Sequence, residues 1–329
     1  MKLGSFNLRV FFKTLFSEKP RLAIVTAFIA AVFIGFSGIF VRLSEVGPLA
    51  SGLFRFFFAV PFLWTWMMFD NAKTKTPRMP TTLKDYALLL LAGFLFAIDI
   101  GILNLSLSFT SVMNATLFNN LTAIFVALFA WLVLKESPSP FLIIGIILSI
   151  VGSVSLMGQS LNFGSNNLIG DCLALLSSVT YAGYIIVSKY LRNTFTTATV
   201  MAWSGLFTFY FMSAFVWLDS GNILPTTFYG WMIVFLLAIV VHVIGQGLMG
   251  YSIAYLNSVV TSLILMVGPI AATTAAWFLF DEKLTLIQVG GAFFILISII
   301  ISRQTMPLNP EQIKPEKIKE ALTHHEKSP

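Results

Sequence analysis

Apolar residues in this chain gather in runs long enough to cross a bilayer, separated by short polar stretches. A helical span needs about 20 predominantly apolar residues. On that length the runs predict spans at 22–41, 48–68, 84–103, 108–134, 141–158, 168–188, 198–218, 228–250, 255–280 and 284–302. The pattern therefore predicts an all-α integral membrane protein with ten transmembrane helices. The least marked separations lie at 104–108 and 251–255, where only a few Asn, Ser and Tyr residues interrupt the apolar run. The runs lack the alternation of a strand with one lipid face and one lumen face, which excludes a barrel.

Composition supports this reading. Apolar residues make up 57% of the chain and charged residues 10%, against roughly half and a quarter in soluble domains. So few charges cannot cover a water-exposed surface. The net charge of +6 is topology charge rather than a nucleic-acid footprint, because the basic residues flank spans and form no stripe. With the N-terminus in the cytoplasm, 17 of the 20 basic residues fall on the inner side. Arg42 and Lys283 fall outside and Arg55 lies within a span. This asymmetry predicts an even number of spans, both termini cytoplasmic, in the cell (inner) membrane. Residues 1–21 read as a basic amphipathic segment lying on anionic lipid, and 303–329 as a polar cytosolic tail. The apolar core at 22–41 is longer than a signal-peptide core and reads as a retained helix.

An internal repeat accompanies the even count. At a spacing of 146 residues, Trp131 to Glu136 aligns with Trp277 to Glu282, and Gly145 with Gly291. The predicted halves, 22–160 and 168–302, each hold five spans. Five is odd, so the halves would enter the membrane in opposite senses, an architecture that secondary transporters reuse with a solute site near the midplane.

These residues resemble the drug/metabolite transporter superfamily, in particular its ten-helix EamA type. The resemblance rests on the paired five-helix repeats and on Leu53 to Ala59 around Arg55. It also rests on Thr110 to Thr116 leading to Glu136, on Gly170-Asp171, and on Gly268-Pro269 leading to Trp277 and Glu282. It implies export or exchange of amino acids, metabolites, nucleotide-type solutes or drugs. It implies a central cavity built from the first, third, fourth, sixth, eighth and ninth spans. The family's fourth span usually carries a proline matching Pro269 in the ninth. Here that position is Ala123, so a kink in the first half is expected to be absent.

Several polar residues inside spans are candidates for the solute site. Asp99 is an isolated carboxylate in an apolar run. It reads either as a solute-amine contact or proton-coupling group, or as an interfacial carboxylate satisfied by water. Arg55 would counter an anionic group, snorkel to the outer interface or pair with Glu45. It is grouped with Pro269, Glu136 and Glu282 as structural or topological. Asn114, Asn119 and Asn120 cannot all share one face of a helix. Asn119 is taken as polar lining, with the bridging of helices as the competing role. His242 and Gln246, four apart, share a face. Phe36, Tyr184 and Trp203 are expected to line the cavity, and Tyr181 is a further aromatic candidate.

Other chemistry is not supported. Gly245 to Gly250 matches a dinucleotide fingerprint as text only, with no strand before it and no acidic residue about 20 positions after it. The chain has one cysteine, Cys172, and three histidines, which argues against a metal site. No cofactor, nucleic-acid partner or enzymatic activity is expected. The expected partners are a small-molecule solute and membrane lipid. Gly145, Ser149, Gly152, Gly290 and Gly291 would serve close packing within the chain or in a homodimer. The competing reading is an accessory subunit or a membrane-embedded enzyme.

Overall fold

A computed structural model describes residues 18–73, 79–110, 112–133, 139–157, 168–217, 222–271, 274 and 285–302. Among these residues the chain is helical, with no strand. The helices are α1 (Glu18–Gly35), α2 (Ser37–Leu43), α3 (Pro48–Lys73), α4 (Leu83–Ser106), α5 (Val112–Asn120) and α6 (Thr122–Val133). They continue with α7 (Pro140–Met157), α8 (Leu168–Arg192), α9 (Thr197–Trp217) and α10 (Phe228–Leu236). A π-helical segment, Leu237–Gln246, joins α10 to α11 (Gly247–Tyr255), and α12 (Ser258–Leu265) and α13 (Leu286–Ser302) follow.

Seven of the helical stretches are long and apolar enough to cross a membrane: Leu22–Leu43, Pro48–Lys73, Leu83–Ser106, Asn114–Val133, Leu168–Arg192, Thr197–Trp217 and Phe228–Tyr255. Three shorter apolar stretches, Pro140–Ser155, Ser258–Ala271 and Leu286–Ser302, occupy the remaining runs. Helices suit such a solvent because they satisfy their own backbone groups where no water is available. The two least marked separations fall slightly later than the sequence suggests. α4 continues to Ser106 before a turn, and α11 continues to Tyr255 before Leu256 and Asn257. Glu136 and Glu282 lie outside the described residues.

Local chemistry sets the helix starts. Thr82 caps α4 with a reciprocal pair of bonds. Its hydroxyl accepts from the Asp85 amide at 3.1 Å, and Asp85 accepts from the Thr82 amide at 3.1 Å. Asn257 caps α12 by accepting from the Val259 amide at 2.9 Å. Each cap satisfies amides that have no intrahelical partner.

Packing closes these helices into one bundle. The principal contacts pair α7 with α13, α4 with α8, α3 with α9 and α4 with α9. The α1 helix packs on α11, α12 and the π segment, the π segment on α3, and α8 on both α5 and α6. Small residues allow the closest approaches. A Cβ on Gly152 would meet the Gly291 carbonyl oxygen at 2.7 Å, and one on Gly145 would overlap Ser302. The α7–α13 seam is thus made within the chain, by most of the small residues expected to serve packing. Gly290 is the exception, since a Cβ there would meet nothing.

Candidate functional site

Three helix interruptions and the π segment converge on one region. The first span is interrupted at Phe36, between α1 and α2. The predicted fourth span is interrupted at Leu121, between α5 and α6, and the predicted ninth at Met266, after which helix resumes over 267–271. Around Leu121 the backbone tightens: the Leu121 amide donates to the Phe118 carbonyl and the Ile124 amide to that of Leu121. The Thr122 hydroxyl donates to the Asn119 carbonyl at 2.6 Å. Side-chain competition of this kind bends helices without proline. The expectation of an unkinked first half, drawn from Ala123, is therefore corrected: a break exists there, where the Thr122 hydroxyl competes for the Asn119 carbonyl.

The interruptions border a cavity of about 130 Å³, on the scale of a pocket that holds a benzene-sized molecule. Gly35, Ser37 and Gly38 line it from the first break. Asn119 and Asn120 do so from the fourth span, Gly268 and Pro269 from the ninth, and Gln246 from the π segment. Arg55, Phe96, Asp99, Asn104 and Tyr181 complete its polar and aromatic wall. The spans that the resemblance implies all contribute, and the second span adds Arg55.

Asp99 is 4% exposed and sits at the centre of a chain of donors. Ser177 on α8 donates to Asp99 Oδ1 at 2.6 Å. Asn119 Nδ2 on α5 donates to Ser177 Oγ at 2.9 Å. Three helices are thereby tied through one carboxylate. Arg55, 5% exposed, donates from Nη1 to Ser37 Oγ at 3.2 Å, and its guanidinium carbon lies 6.0 Å from the Phe96 ring centroid. The pairing of Arg55 with Glu45 is corrected. Glu45 accepts instead from the amides of Thr226 and Thr227, at 2.9 and 3.0 Å, and from both threonine hydroxyls.

Aromatic rings close the cavity on the side of the N-terminal half of α4. Phe96 stacks on Tyr184 with centroids 4.3 Å apart and planes 9° apart, and on Tyr181 at 6.2 Å. Gln246 Nε2 donates to the Tyr181 hydroxyl at 3.2 Å. Beyond that bond lies a second cavity of only about 10 Å³, bordered by Tyr181, Tyr184, Gln246 and Arg192. Tyr181 and Gln246 border both spaces and form the partition between them.

The residues expected at the site divide accordingly. Asp99, Asn119 and Gln246 line the main cavity, with Pro269. Tyr184 stands behind Phe96, on the smaller cavity. His242 does not reach the lining. It is wedged between Phe56 at 4.5 Å and Phe96 at 5.6 Å, and its Nδ1 has no partner among the described residues. The π geometry explains the split from Gln246. Hydrogen bonds to the fifth residue widen the turn, so a spacing of four no longer completes one. The placement of His242 is thus a correction, and two more follow. Phe36 forms the break but is not among the lining residues. Trp203 packs against Trp64, Tyr86 and Phe207, away from the cavity. Asn114 binds both oxygens of Asp171, at 3.1 and 3.2 Å, and Thr110 donates to Asp171 at 2.7 Å. That carboxylate holds the fourth span to the sixth rather than serving the cavity.

Sequence reasoning passed over Phe96, Ser177 and Asn104, and it weighed Asn120 beside Asn119 without choosing it. Serine, asparagine and phenylalanine are ordinary in membrane helices, so residue type carried no signal. Only the neighbouring Asp99 hinted that its helix faces polar groups.

A helical bundle of apolar spans, folded around a buried polar cavity, defines a multi-pass integral membrane protein. The EamA-like transporter family model matches residues 21–158 and again 168–304, and the chain belongs to that family. It is 26% identical over 242 residues to an uncharacterized transporter of Clostridium kluyveri, covering 69% of this chain and 75% of that one. It is 24% identical over 274 residues to an uncharacterized transporter of Archaeoglobus fulgidus, covering 81% of this chain and 92% of that one. A solved crystal structure shares the fold with a TM-score of 0.73 at 15% identity, covering 85% of this chain and 96% of that one. Transport, rather than catalysis, is the role to which these relatives point.

Proposed function

We propose that this protein carries a small organic solute across the membrane by alternating access, in export or exchange, with the 130 Å³ cavity as its solute site. The observation that carries this reading is a buried carboxylate, Asp99, on a cavity bordered by interrupted helices. A charge at the bilayer centre costs about 2.5–3.5 kcal/mol on insertion scales. Such residues persist where they meet a solute or a proton, and interrupted helices expose backbone groups where a site needs them.

Ten spans in two inverted five-helix halves fit the contacts. Exchanging each span for the one five places on turns the α4–α8 pairing into that of α11 with α1, and the α8 contacts with α5 and α6 into that of α1 with α12. The α3–α9 and α7–α13 pairings map onto themselves. The three shorter stretches supply the fifth, ninth and tenth spans. The halves then rock about the cavity. For the closed side to open, the Phe96–Tyr184 stack and the Gln246–Tyr181 bond must separate.

The test is transport in proteoliposomes from a pool of amino acids and metabolites, with and without an imposed pH gradient. Asp99→Asn keeps an oxygen to accept from Ser177 but removes the charge. It is expected to abolish transport while the protein still folds. Transport accelerated by the gradient and lost in the variant assigns Asp99 to proton coupling. Near-normal transport by Asp99→Asn would remove that residue from the mechanism. No transport of any solute by well-folded protein would favour an accessory subunit.

A further inference from the structure

We infer that Arg55 holds an oxyanion of the transported solute, so that the site selects solutes bearing a carboxylate or a similar negatively charged oxygen group. This rests on reading the cavity as the solute site.

Arg55 has five N–H donors and a charge that it cannot shed. Its surroundings use little of that capacity. One donor meets the Ser37 hydroxyl, and Nε is buried with no partner among the described residues. Of the two carboxylates that could neutralise it, Glu45 is engaged elsewhere, and Asp99 attracts it across space without touching it. Glu45 is bound by Thr226 and Thr227, and Asp99 by Ser177. Neither is hydrogen-bonded or ion-paired to Arg55 among the described residues. A guanidinium held this way is costly in a site away from water unless acceptors reach it. The side chain borders the cavity, so a group entering there can supply them.

The geometry narrows that group. A guanidinium presents donors as a planar fork, which suits two oxygens of one carboxylate or phosphate better than a single carbonyl. The guanidinium carbon lies over the Phe96 ring at 6.0 Å, an approach that uses none of its N–H donors. The cavity is small, so the oxyanion belongs to a compact molecule. Arg55 and Asp99 bond to different walls, through Ser37 and Ser177 respectively. The anionic group and the part of the solute that meets Asp99 are therefore separate.

The experiment uses the full chain in proteoliposomes loaded with matched series of compact organic molecules. Each series contains a carboxylate, its primary amide and the parent lacking that group, with efflux read by mass spectrometry. Wild-type protein is expected to move carboxylates at least roughly tenfold faster than their amides, the scale of one lost charge-assisted contact. Arg55→Gln is expected to erase that preference, and Arg55→Lys to keep its sign with a raised KM. Amides moving as fast as carboxylates through the wild-type protein would overturn the inference, and this needs no variant to fold. A preference that survives in a folded Arg55→Gln protein would overturn it too. If the wild-type protein moves no compound of any series, the transport reading falls first and takes this inference with it.

Discussion

Asp99 and Glu45 are both carboxylates bound by hydroxyl groups, yet their surroundings give them different roles. Asp99 accepts from Ser177 inside the bundle. Glu45 sits in a partly exposed loop and fastens it to the start of α10, where Thr227 is also the N-cap. Hydrogen bonds from the Thr227 hydroxyl, with further bonds from the Thr227 amide and from Thr226, hold the Glu45 carboxyl well below the usual range, at about 2. Its pKa falls on folding, so its contribution is complete above the ordinary value of 4.5 and is lost as pH drops toward about 2. In thermal unfolding the purified wild-type protein should therefore be more stable than its Glu45→Gln variant at pH 7, and the gap should close as pH falls from 4.5 to about 2. A gap that stays constant across this window would show that the loop is held by other contacts. At the cavity, Ser177→Ala removes a donor to Asp99 and an acceptor for Asn119 together. Reduced transport with an altered pH profile is the expected outcome. Asp99 was legible in the sequence because a lone carboxylate in an apolar run has few explanations. Ser177 was not, because its role depends on which helix faces it.

Helix irregularities are where elements become functional parts. The first, fourth and ninth spans break beside the cavity, and the eighth widens into a π segment there. Sequence supported a special point at Gly268-Pro269, but gave no warning of the π segment or of the break at Leu121. The break at Leu121 accompanies the bond from the Thr122 hydroxyl to the Asn119 carbonyl, a contact that exists only once the helix is formed. The first and ninth spans also meet backbone to backbone: a Cβ on Gly35 would lie 2.5 Å from the Gly268 carbonyl oxygen. Gly35→Ala should therefore cost about 1–3 kcal/mol, the usual penalty for overpacking. A lower midpoint of unfolding in detergent, with slowed transport, is the check. Gly290→Ala, facing open space within α13, is the control: it should leave transport unchanged and should not lower the midpoint, since Ala favours helix over Gly. Equal effects from the two glycines would remove close packing as the cause.

On the scale of the whole molecule, the proposed orientation places the Ser44 loop and the Asn193 turn on opposite sides of the membrane. In a Cys172→Ser background, a membrane-impermeant maleimide should label Ser44→Cys on intact cells and Asn193→Cys only after permeabilisation. The reverse order would invert the topology, and labelling of both on intact cells would remove a span. The helical class, the approximate spans and the membrane environment follow from the sequence by itself. They depend on how much apolar surface each segment carries, and that quantity is local to the segment. Asp99 could be singled out for the same reason, since its cost in lipid is set by its own neighbours along the chain. The tertiary structure alone decided that Arg55 borders the cavity without Glu45, that Phe36, Trp203 and His242 lie outside the lining, and that Ser177 reaches Asp99 while Asn119 reaches Ser177. Each of these depends on how helices rotate and pack against one another. Segments that are apolar all round leave that rotation undetermined until the small residues and buried polar groups of different spans find each other.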